Sequence, residues 1–350
     1  RTNQAPAARC PDSFGALMAI TPDTGSSARL KVLVTGGAGF IGSHLCEALL
    51  GAGHSVRCLD SFITGKRANI AHLDGRGKFT VLEGDIRDLE VCKKATQGMD
   101  AVLHLAALGS VPRSIDDPLA SEAANLGGFL NLLEACRYAR IRRFVYASSS
   151  SVYGDSPASP KREGQEGKPL SPYAVTKAMN EVYADLYHRL FVIESIGLRF
   201  FNVFGERQDP QGAYAAAIPR FVTSLLRHEP PEVHGDGHQT RDFTYVGNAV
   251  AAMLAGLHCT DERAFGHVFN IAYGQSTDVL QLIDRIKLEL VKHDPQVATV
   301  PVNHIADRPG DVRASLADIG RAHEILGYRP AFDLSAGLQR AVPWYVANWG

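Results

Sequence analysis

The sequence predicts an α/β fold: a doubly wound parallel sheet with helices on both faces, followed by a smaller mixed α/β unit towards the C terminus. Three observations carry that expectation. Short apolar or β-branched runs alternate with amphipathic stretches from Leu30 to Phe200, the rhythm of repeated β-α-β units. A glycine-rich turn, Gly36-Gly37-Ala38-Gly39-Phe40-Ile41-Gly42, joins the first run to the first amphipathic stretch. An acidic residue, Asp60, closes the second run.

Composition agrees with a globular chain and excludes several partner classes. The 350 residues suffice for one large domain or two smaller ones, and 45% apolar residues support a sizeable core. A net charge of −1 gives no electrostatic case for nucleic acid or an anionic membrane. No apolar run approaches the roughly 18 residues of a membrane span; Ala249 to Leu257 is among the longest. The six cysteines (10, 46, 58, 92, 136 and 259) form no C-x-x-C pair and no metal-ligand spacing, so no metal is expected. Five of them sit in apolar or helical patterns, which predicts buried free thiols and a reducing, cytoplasmic setting. Residues 1–29 mix Pro, Ser, Ala and Arg and read as an N-terminal tail, whose apolar patch Phe14 to Ile20 is too short for a signal peptide.

Taken in order, Lys31 to Thr35 predicts a strand, Ser43 to Leu50 a helix ended by Gly51-Ala52-Gly53, and Val56 to Leu59 a second strand. Strand, glycine turn, helix, strand, acid is the context of a Rossmann-type dinucleotide site. The glycines permit a tight turn, close approach of a pyrophosphate and close helix packing, and the helix N terminus adds its dipole. Gly36, Gly39 and Gly42, with Phe40 and Ile41, are the candidate cofactor turn. Asp60, 18 residues beyond Gly42, suits a ribose diol and would repel a 2′-phosphate, which favours NAD over NADP.

Phe79 to Glu83 predicts a third strand and Leu89 to Thr96 a helix that Asp85 could cap. Ala101 to Leu105 is a mainly apolar fourth strand, ending in the small residues Ala106 and Ala107, beside which a cofactor could pass close to the backbone. Asn125 to Ala139 predicts a helix, and Phe144 to Ala147 a fifth strand running into Ser148-Ser149-Ser150-Ser151. Residues 155–170 form a loop, and Pro172 starts the next helix, where a missing N–H matters least. Ser195 to Phe200 is another strand. Beyond it Pro, Gly and aromatics cluster, and Gly235 to Phe243 reads as a binding loop. A helix at 246–257 and a strand at 268–272 return to the large sheet.

The helix that follows Pro172 carries Tyr173 and Lys177, four apart and therefore on one face, about one turn from each other. An ammonium there would favour the phenolate and pull it below its usual pKa of about 10, towards the range of acid–base catalysis. The spacing alone is common, and a surface tyrosine beside a solvated lysine is the default. The surrounding motifs reverse that.

The G-x-x-G-x-x-G spacing and the Tyr173/Lys177 pair are accompanied by long strings: Ala107 to Ser114, Pro169 to Lys177, Asn202 to Gly205 with Arg207-Gln208-Asp209-Pro210, Gly212 to Ala216, Gly235-Asp236-Gly237 with Arg241-Asp242-Phe243, and Arg308 to Val312. With these, residues 30–345 resemble the extended short-chain dehydrogenase/reductases, specifically nucleotide-sugar epimerases of the UDP-galactose 4-epimerase type, and among those the bacterial UDP-N-acetylglucosamine 4-epimerases. The resemblance implies a domain order: NAD-binding over 30–199 and about 241–273, nucleotide-sugar-binding over 200–240 and 274–350. It also implies redox without net redox. Tyr173 takes the proton from the hydroxyl on carbon 4 while hydride passes to NAD; the 4-keto sugar rotates and recovers the hydride on its other face. Lys177 would hold the nicotinamide ribose and lower the tyrosine pKa, and Ser149 would bond the sugar oxygen and the phenol.

By the same resemblance Asp85 and Ile86 hold the adenine, Ala106, Ala107 and Ser110 flank the cofactor, and Ser150 touches sugar. Asn202 lies at the phosphate region, Arg241, Arg308 and Asp311 hold diphosphate and uridine ribose, and Gly109, Ser110, Gln208 and Ala216 line the sugar. Ser315, three beyond the valine of Arg308-Pro309-Gly310-Asp311-Val312, is the gate position: a tyrosine there crowds an N-acetyl group, and serine leaves room. His234, where relatives carry asparagine, and Val233 make the nucleobase contacts the least secure of the set. The implied activity is interconversion of UDP-GlcNAc and UDP-GalNAc. Alternatives are a UDP-glucuronate 4-epimerase and, from another class, a catalytically silent NAD-binding sensor; a 4,6-dehydratase would want an Asp-Glu pair beside Ser149. A homodimer through a four-helix bundle, from helices at about 118–139 and 172–190, is the implied assembly.

Overall fold

Seven parallel strands form the central sheet: β1 (Lys31–Thr35), β2 (Ser55–Asp60), β3 (Phe79–Glu83), β4 (Ala101–His104), β5 (Arg143–Ser149), β6 (Glu194–Phe200) and β7 (His267–Ile271). Their spatial order is β7-β6-β5-β4-β1-β2-β3. The computed structural model describes residues 29–76, 78–210, 216–306 and 313–350. Most of the expected tail, together with Arg308 and Asp311, lies outside the described residues.

Side-chain alternation decides which face each strand residue covers. Val32 and Val34 of β1, Leu103 of β4, Val145 of β5 and Ile196 of β6 point to one face, where α1 (Phe40–Gly51) and the later helix Val246–His258 pack. Leu33, Val102, Phe144 and Tyr146 point to the other, against α2 (Leu89–Thr96) and α3 (Gly128–Ala139), with α4 (Pro172–Phe191) beside them. These strands are covered on both sides, and parallel sheets are built that way. Each fully buried Val, Leu or Phe contributes roughly 1.5–3 kcal/mol relative to exposure.

The order of strands reverses direction between β1 and β4. The first crossover from β1 leads outward to β2 and β3, and the later ones lead the opposite way from β4 to β7. Loops leaving β1 and β4 therefore splay apart at the carboxyl edge and open a cleft there.

Beyond β6 the strands outside the central sheet are short. Strands Ser276–Asp278, Thr240–Asp242 and Ala314–Ser315 form a three-stranded mixed sheet, and Glu232–His234 pairs with Asn303–Ile305. Helices Ala217–Leu226, Val279–Leu290 and Leu334–Trp349 pack with them on the core that begins at Val32. Among the described residues no helix is long and apolar enough to cross a membrane.

Several boundaries differ from expectation for local reasons. The helix expected from Asn125 begins with a π turn at Ala123–Gly127 before the regular helix α3, and the strand expected over Ala101 to Leu105 stops at His104. The cap of α2 is Asp88, whose carboxylate accepts from the N–H groups of Glu90 and Val91, so Asp85 does not serve that role. Cys46, Cys58, Cys92, Cys136 and Cys259 are all buried free thiols.

Candidate active site

The glycine turn is shaped by how closely backbone meets backbone. Gly36 has φ +69°, and a Cβ on it would lie 2.7 Å from the backbone nitrogen of Ala106 across the switch point. A Cβ on Gly42 would lie 2.1 Å from the carbonyl oxygen of Gly36, so the first turn of α1 sits directly on the loop. Only glycine fits either position. The result is a cleft lined by Gly36, Gly39, Asp60, Asp85, Ile86, Ala106 and Ala107, among others. Phe40 and Ile41 open α1 beside it.

Asp60 is nearly fully buried. Its carboxylate accepts from the N–H of Ala38 at 2.9 Å and that of Phe62 at 2.8 Å, tying the glycine turn to the loop after β2. Asp85 faces the cleft with its carboxylate held by the Arg87 side chain at 2.6 and 3.0 Å, and that bond keeps it below the usual carboxylate range. Ile86 packs where a side chain on Gly128 would otherwise stand. A backbone cradle at a helix N terminus, an acid at the end of β2 and small residues at the end of β4 fit a dinucleotide with a free ribose diol. When bound, NAD supplies the hydride acceptor and donor.

Next to this cleft, at the carboxyl end of β5, stand Ser149, Tyr173 and Lys177. Ser171 caps α4 by accepting from the N–H of Ala174, and Pro172 occupies its first turn, which fixes where Tyr173 begins. The backbone N–H of Tyr173 also donates to Ser114 Oγ at 3.0 Å. Lys177 is 3% exposed; its Nζ donates to the carbonyl of Ala147 at 2.8 Å and lies 5.9 Å from the centre of the Tyr173 ring. Ser149 ends β5 and caps the short turn Ser150–Tyr153, with Oγ accepting from the N–H of Ser151.

One expectation fails here in sign. Burial pushes the Tyr173 phenol above its ordinary value, and the Ser149 hydroxyl beside it pulls it only partly back. Lys177 is itself pushed down to about 8 by burial, opposed by the charge of Glu181. In the protein alone, desolvation outweighs the ammonium that the sequence spacing placed beside the phenol.

The residues expected to take the sugar nucleotide lie largely beyond β6. Asn202 has φ +36° and donates from its amide to the carbonyl of Asp242 at 2.9 Å. Gln208 donates to the carbonyl of Val203 at 3.1 Å, and its Oε1 is buried with no hydrogen-bond partner. Arg241 donates to the carbonyl of Thr240 at 2.8 Å and pairs in register with Ser315 on the neighbouring strand. Ser110, at φ +106°, caps the short helix Val111–Asp116 immediately after the exposed Gly109. Ala216, exposed, precedes helix Ala217–Leu226. The Oγ of Ser151 is buried without a partner, whereas Ser150 is only partly covered.

Some site-building residues carry no obvious motif. Asn125, buried in the π turn, accepts from the N–H of Leu108 at 2.7 Å and donates back to its carbonyl at 3.1 Å, so it fastens the loop holding Ala107 to Ser110. A polar residue within an apolar helical stretch was its available signal. Ser61, Ile63, Thr64, Gly65 and Arg87 also line the cleft. Beneath the pair, Glu181 receives bonds from Ser148 and Arg199; its place one turn after Lys177 was the readable clue. Among the described residues no cluster of His, Cys, Asp and Glu could hold a metal ion.

Comparison with known proteins follows this geometry. Residues 32–272 match the NAD dependent epimerase/dehydratase family. A putative UDP-glucose 4-epimerase of Methanocaldococcus jannaschii is 38% identical over 319 residues, covering 91% of this chain and 99% of the relative. The solved UDP-N-acetylglucosamine 4-epimerase of Methanobrevibacter ruminantium, in complex with UDP-N-acetylmuramic acid, superposes with TM-score 0.84 at 34% identity, covering 92% of this chain and 99% of that one. The UDP-glucuronic acid 4-epimerase of Bacillus cereus, solved with UDP-glucuronic acid and NAD, gives TM-score 0.82 at 34% identity over 91% and 99%.

Proposed function

The chain belongs to the NAD-dependent epimerase/dehydratase family, and on that premise we propose that it is a UDP-sugar 4-epimerase whose preferred pair is UDP-N-acetylglucosamine and UDP-N-acetylgalactosamine. The observation that carries the reading is the convergence of Ser149, Tyr173 and Lys177 at the end of β5, beside a cleft shaped for NAD. Tyr173 moves the proton of the carbon 4 hydroxyl off and back on. Ser149 holds the same oxygen, and Lys177 fixes the nicotinamide ribose and favours the phenolate once the cofactor's own positive charge is present.

Residues 30–199 with about 241–273 hold NAD; 200–240 with 274–350 hold the UDP-sugar. In that second part Asn202 and Arg241 serve the diphosphate, joined by Arg308 and Asp311. An arginine fork suits phosphate oxygens and a carboxylate suits a ribose diol. Gly109, Ser110, Ser150, Gln208 and Ala216 line the sugar.

The preference for N-acetylated sugars rests on Ser315. It stands beside Arg241 in the sheet register, and its small side chain leaves the space that a tyrosine would fill. The partnerless Oε1 of Gln208 is an acceptor suited to an amide N–H. Turnover of a panel of UDP-sugars, followed by NMR, tests the whole reading. Ser315→Tyr removes N-acetyl turnover and spares some on plain sugars; unchanged N-acetyl turnover refutes the gate. Exclusive turnover of UDP-glucuronate would replace the substrate assignment with the uronic acid alternative. Tyr173→Phe lowers kcat by about 10²–10⁴-fold, the usual worth of a positioned acid–base group.

The assembly is a homodimer. Val175, Met179 and Val182 form an exposed apolar stripe along α4, and Ile115 and Leu119 are exposed on the short helices that pack beside it. Joined by a two-fold axis, the helical stretch 118–139 and α4 of each copy make a four-helix bundle. A monomer by light scattering at micromolar concentration would count against it.

A further inference from the structure

We propose that Glu181 is the positioning residue of the catalytic pair: clamped by Arg199 and bonded to Ser148, it holds α4 in register with β5 and supplies the counter-charge that keeps Lys177 an ammonium. The proposal rests on the reading of Tyr173 and Lys177 given above.

The geometry is a buried chain of charge. Ser148 Oγ donates to Glu181 Oε1 at 2.5 Å. Arg199, on β6, donates from Nε to the same oxygen at 2.9 Å and from Nη2 to Oε2 at 2.7 Å, a two-pronged clamp. Its Nη1 reaches Glu166, in the loop that leads into α4. Arg199 is 3% exposed, and its guanidinium lies over the Tyr153 ring at 4.9 Å; Tyr153 in turn donates to Asn270 on β7 at 2.7 Å. One network therefore ties four pieces together: the strand that ends in Ser149, the helix that carries Tyr173 and Lys177, the next strand, and the loop before the helix.

Ser148 lies between the two residues of β5 that meet the pair. The carbonyl of Ala147 accepts from Lys177, and Ser149 stands beside the Tyr173 phenol. A bond from Ser148 to α4 sets the distance between these groups. The charge balance points the same way. Around Lys177 and the Glu181 network stand Tyr173 on the same helix, the neutral buried imidazole of His104 from β4, Tyr146 and Ser149 from β5, Arg199 from β6 and Glu166 from the loop. Glu181 is the carboxylate whose charge supports the ammonium against burial. Arg199 alone would oppose it, and Glu166 helps to offset Arg199.

Glu181→Gln keeps an acceptor for Ser148 and removes the charge. With it, the alkaline limb of the kcat profile, which the proposal assigns to loss of the Lys177 ammonium, moves down by about one pH unit. Turnover at pH 9 then falls roughly tenfold while KM for the UDP-sugar stays within about twofold. The Lys177 Nζ resonance of ¹⁵N-lysine-labelled protein, assigned through Lys177→Met and read without substrate, titrates lower by the same amount. Glu166→Gln, at the partly exposed end of the network, shifts both readouts in the same direction by less. It decides the matter if Glu181→Gln does not fold. A profile and a Nζ titration that stay at the parental position in the folded variants overturn the proposal. Tyr173→Phe separates the two readings. If it turns over UDP-sugar at the parental rate, the assignment of the pair itself fails; if it is inactive while the charge variants behave as the parent, only the role of Glu181 falls.

Discussion

On the cofactor side of the cleft, Gly36 and Gly42 remove side chains so that backbone can lie against backbone, and the neighbouring strands are long, parallel and regular. On the side expected to take the sugar, Asn202 and Arg207 keep full side chains while holding φ at +36° and +66°. Their supports are side-chain bonds: Asn202 to Asp242, Gln208 to Val203, and Arg207 to Glu47 at 2.7 Å on α1. A surface that must fit one shared cofactor can be made of main chain. A surface that must choose among sugars needs side chains.

The largest expected effect tests the first half of that contrast. Gly42→Ala drives a methyl group against the Gly36 carbonyl, which cannot yield without unseating α1. NAD affinity falls about 100-fold, close to 3 kcal/mol, by calorimetric titration. Arg241→Ala tests the second half. It weakens UDP binding by about 30-fold, near 2 kcal/mol for a charge-assisted bond, and leaves NAD binding within twofold; a comparable loss of NAD would erase the distinction.

Acid separates the two sides by sign. His104, 1% exposed at the end of β4, bonds Thr35 Oγ1 at 2.7 Å and is held down at about 3 by burial, with Lys177 adding to the effect. Its folded value lies below the unfolded one of about 6.5, so the unfolded chain binds the extra proton and stability is lost as pH falls below 6.5. Between pH 7 and 5 this removes roughly 2 kcal/mol, a loss that His104→Gln should lack in urea titrations. Asp242 behaves oppositely and more weakly. Burial pushes it up to about 6 although the N–H groups of Ala317, Gly274 and Tyr273 partly offset this. The folded chain then binds the extra proton, and over the same interval this group adds back about 1 kcal/mol.

The central sheet was legible in the sequence because continuous apolar runs and glycine chemistry are local. Lys31–Thr35 and Phe79–Glu83 stand where the residue pattern put them, and β2, β5, β6 and β7 differ by one or two residues at their ends. The catalytic helix was equally plain from Pro172 onward. Harder to read were the supports that depend on residues distant in sequence. Asn125 is one residue within an apolar helix, and its partner is the backbone of Leu108. Arg199 sits in a strand where every apolar neighbour argues for a core position, and only the fold brings Glu181 and Glu166 to it. The sign of the Tyr173 shift was lost for the same reason: spacing reports the ammonium, whereas desolvation belongs to the packed structure.

The tie between Tyr345 and Gly205 sets an order of events during synthesis. The Tyr345 hydroxyl donates to the Gly205 carbonyl at 3.0 Å across 140 residues of chain, at the base of the loop that carries Gln208. The part that holds the dinucleotide, by contrast, needs nothing later than β7, which ends at Ile271. At roughly 5–20 residues per second, the ribosome leaves about four to fifteen seconds between those two points. A nascent chain can thus take up its dinucleotide well before it has anywhere to put a sugar, so the cofactor is available as a folding ligand for the rest of the molecule.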